Sequence, residues 1–302
     1  MKTLVLSDLH VDFFFSYAVK PSRLKLDDPK ADVVSDTLDF MWNFYEIPVV
    51  DRLVLGGDYS NDYLTFTRLV PWLSEKYKKV YLVLGNHDLT VRGATASKSN
   101  QVFVSSEKKI EAMKEVCGKY GNVHLLDGDV VDGIGGCMGM CDFQCEPPTY
   151  GLAPSTNWKR NWYDGKFWRY FNQEPGKIWS HYEQKLSEIV KQKPKLVVTH
   201  FIPYEQGIPH KFRNSPWNYV FYFKGQQFFD ELDDDTYWVC GHTHDCKRTE
   251  FVNSKGNRIH ILCNPIGYPG EHSSFYAVDD YTGKTLKRSE AVFKFEDFII
   301  DF

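Results

Sequence analysis

Short apolar runs that stop at glycine or polar residues alternate along the chain with longer stretches whose apolar positions recur at helical spacing. Thr3 to Ser7, Arg52 to Leu55 and Val80 to Leu84 read as strands, and Asp36 to Tyr45 and Thr65 to Tyr77 between them read as helix, a βαβαβ start. A helix is predicted over Ser106 to Cys117, short strands over Val123 to Leu126 and Asp129 to Val131, a helix over Lys177 to Lys191 and a strand over Lys195 to Thr199. The last third reads as antiparallel strands, Thr236 to Cys240, Lys247 to Val252, Arg258 to Cys263 and Ser274 to Val278, joined by turns such as Asn253-Ser254-Lys255-Gly256 and Asp280-Tyr281-Thr282-Gly283. The pattern predicts a layered α/β fold with mixed sheets.

Composition narrows this only a little. A chain of 302 residues, 42% hydrophobic and 16% aromatic, buries a large core and is not disordered. A net charge of -4 lacks the broad basic footprint of a dedicated nucleic-acid binder, so nucleic acid stays open as a partner without being indicated by charge. The first eight residues hold too short an apolar segment for a signal peptide, and no later run approaches the ~20 residues of a membrane span, which predicts a cytoplasmic protein with no membrane partner. Seven cysteines are an odd number. Cys240 and Cys263 lie in or at the end of apolar runs, and the spacing of Cys137, Cys141 and Cys145 does not match a zinc ribbon, so buried thiols are the expectation.

One segment departs from the alternation. Five of the eight tryptophans (Trp158, Trp162, Trp168, Trp179, Trp217) fall between Gln144 and Lys224, and "NWKRNWYDGKFWRYFN" interleaves Lys159, Arg160, Lys166 and Arg169 with aromatic rings. The whole chain, 1–302, reads as one domain carrying an aromatic-rich insertion or lid at about 144–224. Such a segment serves either as an aromatic core under a long connection or as a surface that stacks bases and meets phosphates.

The candidate chemistry sits where strands end. "TLVLSDLH" delivers Asp8 and His10, "RLVLGGDYSND" Asp58, "LGNHD" Asn86, His87 and Asp88, "KLVVTHF" His200, and "YWVCGHTH" His242 and His244. In an open α/β sheet ligands bind outside the carboxyl ends of strands, so these side chains converge by topology. If the chain stays extended, alternation puts both polar residues of Asp8-Leu9-His10 on one side, and likewise His242-Thr243-His244, so that each pair faces one metal. Gly56-Gly57, Gly85 and Gly241 stand at the bends, where a missing β-carbon permits a sharp turn and close backbone approach.

This ordered set, Asp8-x-His10, Gly57-Asp58, Gly85-Asn86-His87-Asp88, His200 and Gly241-His242-x-His244, resembles the calcineurin-like metallophosphoesterase family from residue 1 to about 265. "NPIGYP", Asn264 to Pro269, resembles the following family segment more loosely. The resemblance implies a four-layer α/β/β/α sandwich with mixed sheets and two divalent transition metal ions. Asp8, His10 and His244 would hold one ion, Asn86, His200 and His242 the other, and Asp58 would bridge them. Such nitrogen and oxygen donors suit Mn, with Fe, Zn or Co as alternatives. The implied chemistry is attack of a metal-bridging hydroxide on phosphorus, with Asp58 and His87 in catalytic roles. His87 resembles the family's catalytic histidine, which protonates the leaving oxygen or stabilises phosphoryl charge.

Asp88 is expected to support the loop. In the related protein serine/threonine phosphatases an Asp orients the catalytic histidine from three residues past the bridging Asp; here Asn61 holds that place and Asp62 follows. The phosphate-binding arginine of those enzymes is missing, so Arg92, Lys211 or Arg213 assists, or the metals bind phosphate alone. The expected substrate is a small phosphate ester. A phosphodiesterase on a nucleotide or similar small ester is the first expectation, a general phosphomonoesterase or a nuclease the alternative, and a non-catalytic scaffold the last, since every ligand position is filled. No protein partner is evident.

Overall fold

The computed structural model describes residues 1–18, 32–91, 103–144, 152–169, 174–269, 271, 276–278, 285–287 and 294–302. The first half runs β1 (Lys2–Leu6), α1 (Val11–Ala18), α2 (Val33–Phe44), β2 (Arg52–Leu55), α3 (Tyr63–Lys76), β3 (Lys79–Leu82), α4 (Ser106–Cys117), β4 (Val123–Leu125), β5 (Asp129–Val131) and β6 (Ile134–Gly136). The second half runs α5 (Pro154–Asn161), α6 (Tyr163–Phe167), α7 (Pro175–Lys191), β7 (Leu196–Val198), α8 (Gln226–Phe229), β8 (Thr236–Cys240), β9 (Lys247–Val252), β10 (Arg258–Cys263), β11 (Tyr276–Val278), β12 (Thr285–Lys287) and β13 (Ile299–Asp301). Local signals account for the helix starts. Asp32, Asp62 and Ser105 accept backbone N–H bonds as N-caps of α2, α3 and α4, while Pro154 and Pro175 open α5 and α7, where a missing N–H costs nothing.

The strands form two large mixed sheets. The first has the order β13-β1-β2-β3-β4, parallel except for β13; the second has the order β5-β6-β7-β8-β10-β9. β6, β7, β8 and β10 are parallel to their neighbours, with antiparallel β5 and β9 at the two edges. The expected run of antiparallel strands in the last third holds only in part: the β9–β10 hairpin around Asn253–Gly256 and the β11–β12 pair are antiparallel, whereas β8 pairs parallel with β7 and β10. The turn expected at Asp280 to Gly283 lies outside the described residues.

Period-two alternation sorts the strands into layers. Val5, Val54 and Tyr81 of the first sheet share one core cluster with Leu196, Val198, Val239 and Leu262 of the second, and this is the interface between sheets. Their strand neighbours Leu4, Leu6, Leu53, Leu55, Val80 and Leu82, and on the other side Val197, Trp238, Ile259 and Ile261, belong to the cluster that includes the helices. A residue and the next therefore face opposite layers. The result is the α/β/β/α arrangement.

The strand β1 also joins the sheets near its end. Ser7 N–H donates to Asn264 O at 3.0 Å and Ile266 N–H to Ser7 O at 3.0 Å, so the segment after β10 is bound beside the segment after β1. Within the first sheet Leu6 pairs with Leu55 and Leu55 with Leu82, so three ligand-bearing loops leave the sheet level with one another.

Candidate metal centre

Every strand end singled out in the sequence arrives at one place. The donor atoms of Asp8, His10 and His244 lie within 4.8 Å of one another, as do those of Asp58, His200 and His242, and those of His10, Asp58 and His87. Asp58 Oδ2 stands between the first two groups, 3.7 Å from His10 Nε2 and 3.3 Å from His200 Nε2. Asn86 joins the second group, its Oδ1 2.9 Å from His200 Nε2.

The backbone does not stay extended here. Asp8 (φ 52°), His10 (φ 42°), Asp58 (φ 58°), His242 (φ 73°) and His244 (φ 53°) all occupy the left-handed region. Non-glycine residues adopt it at a cost of order 1–3 kcal/mol each, and such strain collects at functional sites. Left-handed turns, not strand alternation, bring Asp8 and His10 to one cluster. The expectation that His242 and His244 face one metal together is also corrected, because His242 falls in the Asp58 group and His244 in the Asp8 group.

Close approach explains two of the glycines. A β-carbon on Gly85 would lie 2.1 Å from Asp58 Oδ1, and one on Gly241 would lie 2.5 Å from Asp8 Oδ2. Neither carboxylate can retreat, since Asp58 Oδ1 accepts the His87 N–H at 2.9 Å and Asp8 accepts the His242 N–H at 3.0 Å. A side chain at either place would push a carboxylate out of the centre.

Electrostatics fit a cation in each group. Burial disfavours charge on His200, but Asp58 beside it raises it to about 9. Burial likewise opposes charge on His244, while Asp8 and then Glu271 raise it to about 10. Burial alone would raise Asp8, yet His244 pulls it down to about 2, and burial holds His10 and His242 down at about 3. In each cluster a neighbouring carboxylate favours the charged form of one imidazole, His200 or His244, and the Nε2 of that ring lies among convergent acceptor atoms. His200 Nε2 faces Asn86 Oδ1 and Asp58 Oδ2, and His244 Nε2 faces His10 Nε2 at 3.0 Å and Asp8 Oδ1 at 3.4 Å. Oxygen and nitrogen donors converge within 4.8 Å of one another in each group, and the residues fit a divalent ion.

The outer partners are of the kind that hold metal-binding histidines in place. His200 Nδ1–H donates to Gly56 O at 2.8 Å, His242 Nε2–H to Val220 O at 3.3 Å, and His244 Nδ1–H to Glu271 Oε2.

His87 stands at the edge of this cluster. Its Nδ1 is 3.0 Å from Asn61 Oδ1, its Nε2 is 3.1 Å from Tyr268 Oη, and its ring stacks on Tyr163 with centroids 5.4 Å apart. Asn61 is thus its hydrogen-bond partner, and Asp62 instead caps α3. Asp88 binds loops together: its two oxygens accept the backbone N–H groups of Asp58, Tyr59, Ser60 and Gly85.

Several neighbours had no assigned role in the sequence. Asp164, in "WYDGKFW", accepts from Asn86 Nδ2 at 2.9 Å, and Trp168 Nε1–H donates to Asn86 O at 2.9 Å. The isolated carboxylate within an aromatic run was the available signal. Lys109, buried in α4, donates to Asn61 O at 3.0 Å and Thr90 O at 3.1 Å. Tyr268 lies in the quoted "NPIGYP", and its ring packs on His10 with centroids 4.3 Å apart.

Of the expected basic helpers only Arg213 is described, and it is not in this constellation. Arg213 is exposed and its Nε–H donates to Ile208 O, while Arg92 and the side chain of Lys211 lie outside the described residues. Cys137 and Cys141 are buried and form no disulfide among the described residues, with burial pushing Cys137 up to about 12; Cys145 lies outside the described residues.

The comparisons with known proteins agree with this geometry. A family model described as calcineurin-like phosphoesterase matches residues 1–246. A search of curated proteins finds no match. Among solved structures, a phosphopantetheinyl hydrolase from Mycobacterium tuberculosis superposes with TM-score 0.60 at 16% identity, covering 90% of this chain and 91% of that one, a likeness of fold. A second solved chain aligns at TM-score 0.46 and 11% identity over 86% of this chain and 89% of its own. A family match over most of the chain, on a fold that brings the matched Asp, Asn and His residues into adjoining clusters, makes this chain a member of the calcineurin-like phosphoesterase family and a metal-dependent hydrolase of phosphate esters.

Proposed function

We propose that the chain hydrolyses a small phosphate ester, first a nucleotide-type phosphodiester, at a centre of two divalent ions. The observation that carries the two-ion reading is the position of Asp58 Oδ2, one oxygen within 4 Å of an imidazole nitrogen in each cluster. Asp8, His10 and His244 would hold one ion and Asn86, His200 and His242 the other, with Asp58 within reach of both. The ions, when bound, lower the pKa of an attacking water and neutralise charge on the phosphoryl oxygens. Mn is proposed as the metal, on the donor set.

The remaining steps belong to the chain's own side chains. Asn61 fixes His87 with a proton on Nδ1, so that Nε2 is the atom that faces the leaving group. A substrate oxygen displaces the Tyr268 hydroxyl from Nε2, and a protonated His87 gives that oxygen its proton as the ester bond breaks.

The nucleotide preference is supported by an aromatic arc beside His87. Phe13 packs on Tyr268 with centroids 4.8 Å apart and Tyr163 on Phe167 at 4.6 Å, and both phenylalanines are exposed. Exposed rings at two ends of a phosphoesterase centre suit a planar group. The segment holding Tyr163 and Phe167 is read as an insertion in one domain spanning 1–302. No disulfide joins the described cysteines, which supports a cytoplasmic setting.

The test is hydrolysis of para-nitrophenyl phosphate and bis-para-nitrophenyl phosphate by metal-stripped protein re-supplied with Mn, with Asp58→Asn as the control. Mn-dependent turnover of the diester, lost in the variant, supports the proposal. Preference for the monoester favours a general phosphomonoesterase, and absence of metal binding favours a scaffold.

A further inference from the structure

Asn86 is a side chain with two different ends. Only its carbonyl oxygen can ligate a cation; the NH₂ end, of the same size and shape, cannot. Rotation by half a turn about the last torsion exchanges them, so something must decide which end faces His200 and Asp58. On the centre's side the carbonyl end is met by His200 Nε2 at 2.9 Å, a contact that a bound cation would replace.

The decision comes from the opposite side. Asp164 lies in α6, is 1% exposed, and accepts from Asn86 Nδ2 at 2.9 Å. An ionised carboxylate offers only acceptors, so it can meet the NH₂ end and not the carbonyl. Its other oxygen, Oδ2, is buried with no hydrogen-bond partner. A half-satisfied buried carboxylate is costly to a fold, which is expected of a group kept for a task other than stability.

The surrounding chain holds Asp164 in place. Trp168 N–H donates to Asp164 O at 2.8 Å, and the Trp168 indole N–H donates to the backbone carbonyl of Asn86. Gly165 lets α6 lie against α5: a β-carbon there would come within 2.2 Å of Trp158 O. Trp158 and Trp168 are themselves buried, with ring centroids 5.5 Å apart. The aromatic run is therefore anchored in the core and grips Asn86 by both its backbone and its side chain.

We propose that Asp164 is a positioning residue, which aims the Asn86 carbonyl oxygen at the centre formed with Asp58, His200 and His242. The proposal rests on the reading of Asn86 as a metal ligand. Partners one step out from a metal ligand typically change affinity by about 10- to 100-fold, and that sets the expected effect.

The experiment is a Mn titration of metal-stripped wild-type, Asp164→Leu, Asp164→Asn and Asn86→Ala proteins, counting equivalents bound and their affinities, with thermal melting to confirm folding. Asp164→Leu is expected to bind the second equivalent at least about tenfold more weakly. Asp164→Asn, whose carbonyl still accepts from Asn86, should recover most of that loss; a merely structural residue would show no such pattern in the second equivalent alone. Asp164→Ala makes the same deletion without added bulk, so an insoluble Leu variant does not end the test. Two wild-type equivalents in Asp164→Leu or Asp164→Ala, beside a lost equivalent in Asn86→Ala, would overturn the proposal. Two full equivalents in Asn86→Ala would instead overturn the reading of Asn86 on which it stands.

Discussion

Asn61 Oδ1 lies 3.0 Å from Nδ1 of His87, and the same oxygen accepts the Tyr163 hydroxyl at 3.1 Å. A neutral amide therefore occupies the place from which a carboxylate would orient the histidine. An amide orients the ring but contributes no full negative charge to an imidazolium.

The contrast between orientation and charge gives the first prediction. Asn61→Ala leaves His87 free to rotate and should lower kcat on poor leaving groups by about 10- to 100-fold, the usual cost of losing an orienting partner. Asn61→Asp should keep orientation and stabilise the protonated imidazole, because an adjacent negative charge favours the charged form. A general acid loses activity as pH rises past its titration, so the basic limb of the kcat/KM profile should move to higher pH in Asn61→Asp. An unmoved limb, with activity equal in both variants, would remove His87 from the role of acid.

Asp88 supplies the second. Each of its oxygens accepts two buried backbone N–H groups, from Tyr59 and Ser60 and from Asp58 and Gly85. Asp88→Asn turns one oxygen into an NH₂ that faces two donors. Stranded buried donors cost about 1–3 kcal/mol each, so a loss of roughly 2–5 kcal/mol is expected by denaturant unfolding. Mn binding should weaken as well, since the loops carrying Asp58 and Asn86 are those that separate. A loss below about 1 kcal/mol would show the four bonds to be dispensable.

Much of this centre was legible in the sequence because a strand end is a strong signal. An apolar run that stops at Gly-Asn-His-Asp or Gly-His-Thr-His fixes both the element and the polar residues at its mouth, and β2, α4, β8, β9 and β10 occur over the predicted residues. Less could be read where tertiary structure decides. The backbone of Asp8 and His10 turns left-handed because loops from several strands must share one small space, and periodicity carries no trace of that. The short β6 contains two glycines, so no apolar run marked it: Gly135 lies against Ile189 and Gly136 against Val83, where no larger side chain fits. Asp164 and Glu271 reach their partners from segments distant in sequence, and spacing could not join them to Asn86 and His244.

A third prediction concerns pH and metal together. His200 and His244 lie at about 9 and about 10, raised above the ordinary 6.5. Groups raised in the folded state contribute stability that is fully present below the unfolded value and is lost as pH rises through the folded one. Metal-stripped protein should therefore lose stability between about pH 7 and pH 10, as read by denaturation in chelator. Over the same window Mn affinity should rise, because each ion displaces an imidazole proton. Titration calorimetry at pH 7 in two buffers of different ionisation enthalpy should report protons released on binding. Stability that climbs from pH 7 to 10, or binding without proton release, would contradict this.

The last prediction separates a substrate-facing role for the aromatic arc from a packing role. Trp158 and Trp168 are core residues, so deleting the whole segment would disturb folding and say little about specificity. Phe13 is 42% exposed and Phe167 37%, which makes them the substitutions that leave the interior alone. Stacking of a base on an aromatic side chain is worth about 1–3 kcal/mol, a factor of roughly 5 to 150. The Phe13→Ala/Phe167→Ala protein should accordingly show a raised KM for a nucleotide diester. It should show little change in kcat or KM for a small alkyl phosphodiester, which has nothing to stack. Equal losses on both esters would place the two rings in support of Tyr268 and Tyr163, and through them of His87, and the nucleotide preference would then have no surface to rest on.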